Sequence, residues 1–561
     1  MRCLTTIVMI FLTALGQIMG QGKEYEGPED PAGDIAAERE GYMTGNRVFI
    51  YFRNTTELSD WPRVNVSKWP NNPNGLKMTD GIGLLVGAKV YIEDDGDATT
   101  VDTIALTEPA DIYTKDHHTL YYLQTSYREE MDVDPTGTVE WGYYPVFGYF
   151  NETGEYVAQS NLPGSWPSAG WPSTGYEIKW PGEWNGRFGR GVIYADQETY
   201  FVVNDAQDQE NLGPEDNVKY FPRPGHYVGD LKPDVTIQPG VPWGGLGLRV
   251  SVRGFQWNNP QARDAIFWEY SIANVSDYDL RDVAFGYWLD NSIGGDGDDD
   301  LGYFNNQVDM AYSWDINGIG SGGLPTGVMG FAYLESPGLA YDYVDNDNDG
   351  LTDEKRDNEP IAIIGPTDGI TDITAFLDFY KLEESDLREH WDADEDQDWE
   401  DGEDLDGDGI YQSSEYAGDD IGIDGVAPGE LNYNGPDIDG SECNHRPDFQ
   451  EGVGCEPNFN TTDVSESDMV GLTAFRMFPI PSHAPSNETF WFKNDQAMWD
   501  LVGTDSLEEY TSTISNLVEV FASGPFPLFQ GRVERISMSE LHSYDPLAGL
   551  NSDAHTAPAL Y

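Results

Sequence analysis

The sequence predicts a mainly β protein: an antiparallel, sandwich-like framework with long loops, few short helices and one acidic, calcium-binding insertion. Three observations lead there. Apolar and polar residues alternate over several short runs, as strands with one buried face require. The 62 Gly and 34 Pro suit the turns between many short strands. Helical periodicity is confined to two stretches.

Leu246, Leu248, Val250 and Val252 share one face of a strand, and Gly247, Arg249, Ser251 and Arg253 share the other. Ile266, Trp268, Tyr270 and Ile272 repeat the pattern. After the polar turn NVSDYD, Val283, Phe285, Tyr287 and Leu289 do so again, which predicts a three-stranded antiparallel meander. Further strands are predicted at 47–53, 83–93, 191–205, 308–315, 327–334 and 531–539. Helices are predicted over 372–391 and about 495–501.

At 561 residues the chain exceeds the size at which one hydrophobic core keeps growing, so more than one packed unit is expected. Asp and Glu number 100 against 30 Lys and Arg, a formal charge of −70. Such a charge repels phosphates and anionic lipid, which excludes nucleic acid as a partner. It also strains a compact state unless salt or bound cations neutralise it. The 16 Trp, 32 Tyr and 24 Phe argue against disorder as the way out.

The first residues, MRCLTTIVMIFLTALGQIMGQ, pair Arg2 with an apolar run and then small residues, the pattern of a signal peptide over 1–20. Secretion or display at the cell surface is the expected location, with no integral membrane span in the mature chain. The β framework is assigned to 21–340, an Asp-rich insertion to 341–460, and further strands to 461–561. Those last strands either form a unit of their own or rejoin the first sheets. Cys3 would be lost with the signal. Cys443 and Cys455 remain, and an oxidising compartment favours a local disulfide between them. A thiol metal site with His445 lacks a fourth ligand at a usual spacing.

Calcium takes six to eight oxygen ligands, and a twelve-residue EF-hand loop delivers them from positions 1, 3, 5, 7, 9 and 12. DLDGDGIYQSSE fits: Asp404, Asp406, Asp408, the Ile410 carbonyl, Gln412 and Glu415, with Gly409 at the sharp turn. The preceding DADEDQDWEDGE is no convincing helix, so the loop is read as free-standing. A second loop, DNDNDGLTDE, offers Asp345, Asp347, Asp349, the Leu351 carbonyl and Asp353, but Arg356 stands at position 12. It resembles the Asp-rich repeats of thrombospondin type 3. Residues 386–440 hold 20 Asp or Glu and one basic residue, Arg388, so this stretch repels itself open without cations. Asp392, Asp394 and Asp396, and also Asp296 to Asp300, read equally well as metal sites or as solvated acidic loops.

Between 150 and 190, Trp166, Trp171, Trp180 and Trp184 sit among prolines and glycines. They read either as stacking platforms for extracellular glycans or, more simply, as rings pinning a long loop onto a sheet. The motifs HExxH, GxSxG and GxxxxGK[ST] do not occur. His117 and His118 are read as loop residues. Paired carboxylates for glycoside hydrolysis need no spacing, so 100 acids carry no information about them.

Several phrases, among them YADQETYFVVND, LGLRVSVRGFQWNNPQARDAIFWEYSIANVSDYDL, DNDNDGLTDE, CEPNFNTTDVSESDMVGLTAF and ASGPFPLFQGRVERISM, together resemble a family of secreted β proteins of environmental Gram-negative bacteria. In that family such a region often precedes fibronectin-like modules and a C-terminal sorting domain. The resemblance implies export and architecture; no activity comes with it. The sequence ends at HTAPALY without such a module, which leaves surface attachment open. The function expected is therefore structural or adhesive, non-enzymatic and calcium-dependent, with surface proteins or a second copy of the chain as partners. The alternative is a calcium-dependent glycan-binding protein or glycoside hydrolase.

Overall fold

The computed structural model describes residues 23–25, 27–28, 30, 33–60, 63, 66–93, 103–104, 117–125, 142–181, 184–186, 189–191, 195–205, 219–220, 228–229, 245–276, 279–339, 342–348, 350–353, 363–364, 367, 370–379, 384, 390–391, 421–422, 426, 433, 442, 449–450, 454–455, 468–480 and 495–544. The chain forms two compact units, one made of 24–182, 194–337 and 471–561, the other of 1–23, 183–193 and 338–470.

The larger unit is a pair of antiparallel sheets. Its strands are β1 (Thr79–Glu93), β2 (His117–Gln124), β3 (Tyr143–Pro145), β4 (Gln197–Asp205), β5 (Leu248–Gln256), β6 (Ala265–Asn274), β7 (Leu280–Asn291), β8 (Asp300–Asn305), β9 (Met310–Asp315), β10 (Val328–Glu335), β11 (Ala474–Pro479), β12 (Leu517–Leu528) and β13 (Arg532–Ser543). One sheet runs β8-β9-β10-β13-β6-β5-β4-β3, and the other runs β11-β12-β7-β1 with β2 on the far side of β1. His117 and His118 thus open a strand, opposite Glu93 and Ile92, rather than lying in a loop.

The sheets meet through aromatic residues. The hydroxyls of Tyr270 on β6 and Tyr287 on β7 share a hydrogen bond, and Tyr333 on β10 donates to the Phe285 carbonyl at 3.0 Å. Ring centroids of Tyr287 and Phe331 lie 5.5 Å apart, edge to face, a favoured geometry for ring quadrupoles. Residues 266, 268, 270 and 272 of β6 are at most 1% exposed, so the alternation read from the sequence marks the inner face.

The three-stranded meander is corrected in one respect. β5 and β6 are antiparallel neighbours, but β7 pairs with β1 and β12 in the opposite sheet. The place beside β6 is taken by β13, from the end of the chain. The turn after β6 therefore carries the chain across the sandwich, which sets Tyr287 against Tyr270. β7 is buried on both faces because a helix, α2 (Asp495–Val502), places Met498 and Val502 against Ala284, Trp288 and Val520.

The smaller unit holds α1 (Ile373–Phe379), whose first turn is capped by Asp372 accepting from Thr374 and Ala375 N–H. The helix predicted to run to Trp391 is shorter than expected, since His390 and Trp391 pair as a strand with Ile364 and Ile363. No helix among the described residues is long and apolar enough to cross a membrane. Asn54 and Asn274, each opening the Asn-x-Ser/Thr pattern of a glycan acceptor, are at most 1% exposed and bonded to backbone, so neither is presented for modification in the folded chain.

Candidate metal centre

Residues 342–353 fold back on themselves through their own carboxylates. Asp342 accepts from Val344 N–H at 2.9 Å, Asp345 from Gly350 N–H at 3.0 Å, and Asp353 from Tyr343 N–H at 2.9 Å. Gly350 has φ +95°, and a Cβ there would stand 2.5 Å from the Asp372 carbonyl, so the position is open only to glycine. Leu351 is 4% exposed, its side chain turned into the unit.

The loop closes on a residue from the other end of the same unit. Asp468 is 0% exposed; one carboxylate oxygen accepts from Asn346 N–H and the other from Asp353 N–H at 2.9 Å. Its own carbonyl accepts from Leu339 N–H at 2.9 Å. Two carboxylate triads result, Asp342/Asp353/Asp468 and Asp345/Asp347/Asp468, each with ligand oxygens within 4.8 Å of one another. Two full charges at that separation repel by about 3 kcal/mol at an effective dielectric of about 20. Burial pushes the Asp468 carboxyl up to about 6 despite the opposing backbone hydrogen bonds. These Asp groups, Asp468 buried, Asp345, Asp347 and Asp353 half-buried and Asp342 exposed, have the donors and the proximity to hold a metal ion.

Of the residues predicted as ligands, the structure brings Asp345, Asp347 and Asp353 into the triads. Asp349 lies outside the described residues, as does the whole loop of Asp404, Asp406, Asp408, Ile410, Gln412 and Glu415. Cys443 lies outside them too, and of Cys455 only the backbone is described, in a strand pair with Phe449. Sequence reasoning missed Asp342 and Asp468. Asp342 precedes the motif by three positions, and Asp468 stands in no motif at all.

In the larger unit, Asp296, Asp299 and Asp315 form a further triad within 4.8 Å. Burial, then the charge of Asp315, pushes the neighbouring Asp300 up to about 9. The Trp-rich loop as far as Gly182 is also in this unit, whereas Trp184 falls in the smaller one. Trp171 is 0% exposed and its ring meets Tyr200 at 5.5 Å and Trp180 at 5.3 Å, so it is no platform for a sugar. Trp166 and Trp180 are half-buried, 5.7 Å apart. Trp180 Nε1 donates to Glu198 beside an open pocket of about 310 Å³ that Lys179 and Asp196 also line. Trp184 lies on a short strand whose side chains are outside the described residues.

Neither the protein-family models nor the curated proteins compared with this chain include a match. Fold and site alone define it, as a mainly β protein with clustered carboxylates fit to hold metal ions.

Proposed function

We propose that the protein is an exported, calcium-stabilised structural protein of the cell surface or extracellular space, with a non-enzymatic role in adhesion or assembly. The observation that carries this reading is Asp468, which ties the start of the 338–470 segment to its end and completes two triads with residues of the 342–353 loop. Calcium is the cation that suits them. Every donor of the triads is a carboxylate oxygen, and neither His nor Cys belongs to them, which disfavours zinc and copper. The strict octahedral demand of magnesium fits poorly with donors drawn from a turn and from a residue 115 positions beyond Asp353.

An ion here acts as a staple, because the ligand set scarcely exists in the unfolded chain and binding energy becomes folding energy. Extracellular calcium modules bind with dissociation constants of roughly 0.1–1 mM, matched to calcium outside cells. The signal-like N-terminus and the charge of −70 support the same location. Limited proteolysis of the mature chain tests the reading. Calcium should protect 338–470 in the wild type and lose that effect in Asp468→Asn; equal cleavage with calcium and with chelator would refute it.

A further inference from the structure

We propose that the β framework holds a divalent cation of its own, of the calcium class, at the mouth of the β8–β9 hairpin, with Asp296, Asp299 and Asp315 as ligands. Asp296 and Asp299 come from the loop that leads into β8, and Asp315 ends β9. One oxygen from each lies within 4.8 Å of the others. Gly294 and Gly295, at φ +87° and +95°, bend the loop back so that its acids return to the end of β9.

Carboxylate clustering alone would not make a site; the buried oxygens do. Asp315 is 4% exposed. One of its oxygens accepts from Gly318 N–H at 2.6 Å, and Oδ2 is buried with no hydrogen-bond partner among the described residues. Asp300, its direct cross-strand neighbour, is 0% exposed. Its Oδ2 accepts from Ile293 N–H at 2.8 Å, while Oδ1 is likewise buried without a partner. Anionic oxygen withdrawn from water and left without a donor is unfavourable unless a cation or a proton neutralises it. The cluster opens outward through Asp296, which is exposed, and Asp299, which is half-exposed, so an ion has a path in. An oxygen-only donor set on a glycine-rich loop selects calcium over zinc and, by its flexibility, over magnesium.

β8 is an edge strand of its sheet, and edges need protection from pairing with other chains. A cation at this point ties the loop before β8 to the end of β9 and staples the outermost hairpin. The site is independent of the triads around Asp468, so the framework binds calcium even where the insertion does not.

The test is equilibrium dialysis with radioactive calcium on the mature chain. Asp299→Asn/Asp315→Asn should bind about one ion fewer than wild type, and Asp468→Asn should retain that ion. Asp299→Asn alone, at a half-exposed position, keeps the fold and should weaken the same ion about tenfold. Terbium supplies a readout that leaves every ligand in place: Trp314, next to Asp315, should sensitise its emission, and Trp314→Phe should remove that component. Unchanged stoichiometry in the double variant, or terbium emission indifferent to Trp314→Phe, would overturn the proposal and leave the buried oxygens to be neutralised by protons.

Discussion

Asp468 accepts from the backbone of Asp353, 115 residues earlier, and from that of Asn346, 122 residues earlier. That separation explains why the sequence exposes half of the centre and hides the rest. Asp345, Asp347 and Asp353 are legible because their spacing lies within one turn, whereas a lone acid acquires meaning only when the chain brings it back. Asp468→Asn removes the charge and also replaces one of the two oxygens that accept backbone N–H with a donor. It should weaken calcium binding about tenfold or more and lower the melting temperature further in calcium than in chelator, as calorimetry and thermal unfolding would show. A second buried acid carries a pH signature. Glu519 on β12 is 0% exposed and accepts from Ser313 Oγ; burial pushes its carboxyl up to about 7 from an ordinary 4.5. Because the folded value is raised, the native state holds the proton longer than the unfolded chain does. The associated stability is complete below about pH 4.5 and is lost as pH rises through about 7, a difference of about 3 kcal/mol. Glu519→Gln should therefore be stabilising at pH 8 and nearly neutral at pH 4.5, measured as shifts in urea midpoint.

At the scale of elements, the strands with clean alternation were legible. β6 covers the predicted 266–272 and β13 all but the first residue of the predicted 531–539, and α2 matches the predicted helix near 495–501. β12 was not legible, because Gly524, Pro525 and Pro527 interrupt it and its register against β7 shifts twice; proline within a run ordinarily argues against a central strand. The crossing of β7 to the second sheet was hidden for a different reason: alternation marks a buried face without saying which sheet supplies the cover. The long helix expected after Asp372 failed because a few turns of apolar periodicity do not outweigh strand pairing at His390–Trp391. α2 gives a direct check on packing. Met498 is 0% exposed against β7 and β12, so Met498→Ala should cost about 3 kcal/mol and Met498→Leu less than about 1.5 kcal/mol, read from denaturant unfolding.

Across the whole molecule, a net charge of −70 makes cations part of the folding equilibrium. Sodium chloride acts by screening, within a Debye length of about 8 Å at physiological strength, whereas a bound ion neutralises particular carboxylates. Calcium should therefore raise stability more than sodium chloride at equal ionic strength, and the excess should saturate. A ligand at ten to a hundred times its dissociation constant stabilises by about 1.4–2.7 kcal/mol per site. Thermal unfolding of the mature chain in millimolar calcium, in chelator and in matched sodium chloride, with calorimetric titration of the same sample, tests the central claim most directly. Saturable binding and a melting temperature higher by about 5 °C in calcium than in matched salt is the result predicted. Identical melting in calcium and matched salt, with no heat of binding, would contradict it and reduce the acidic clusters to solvated surface.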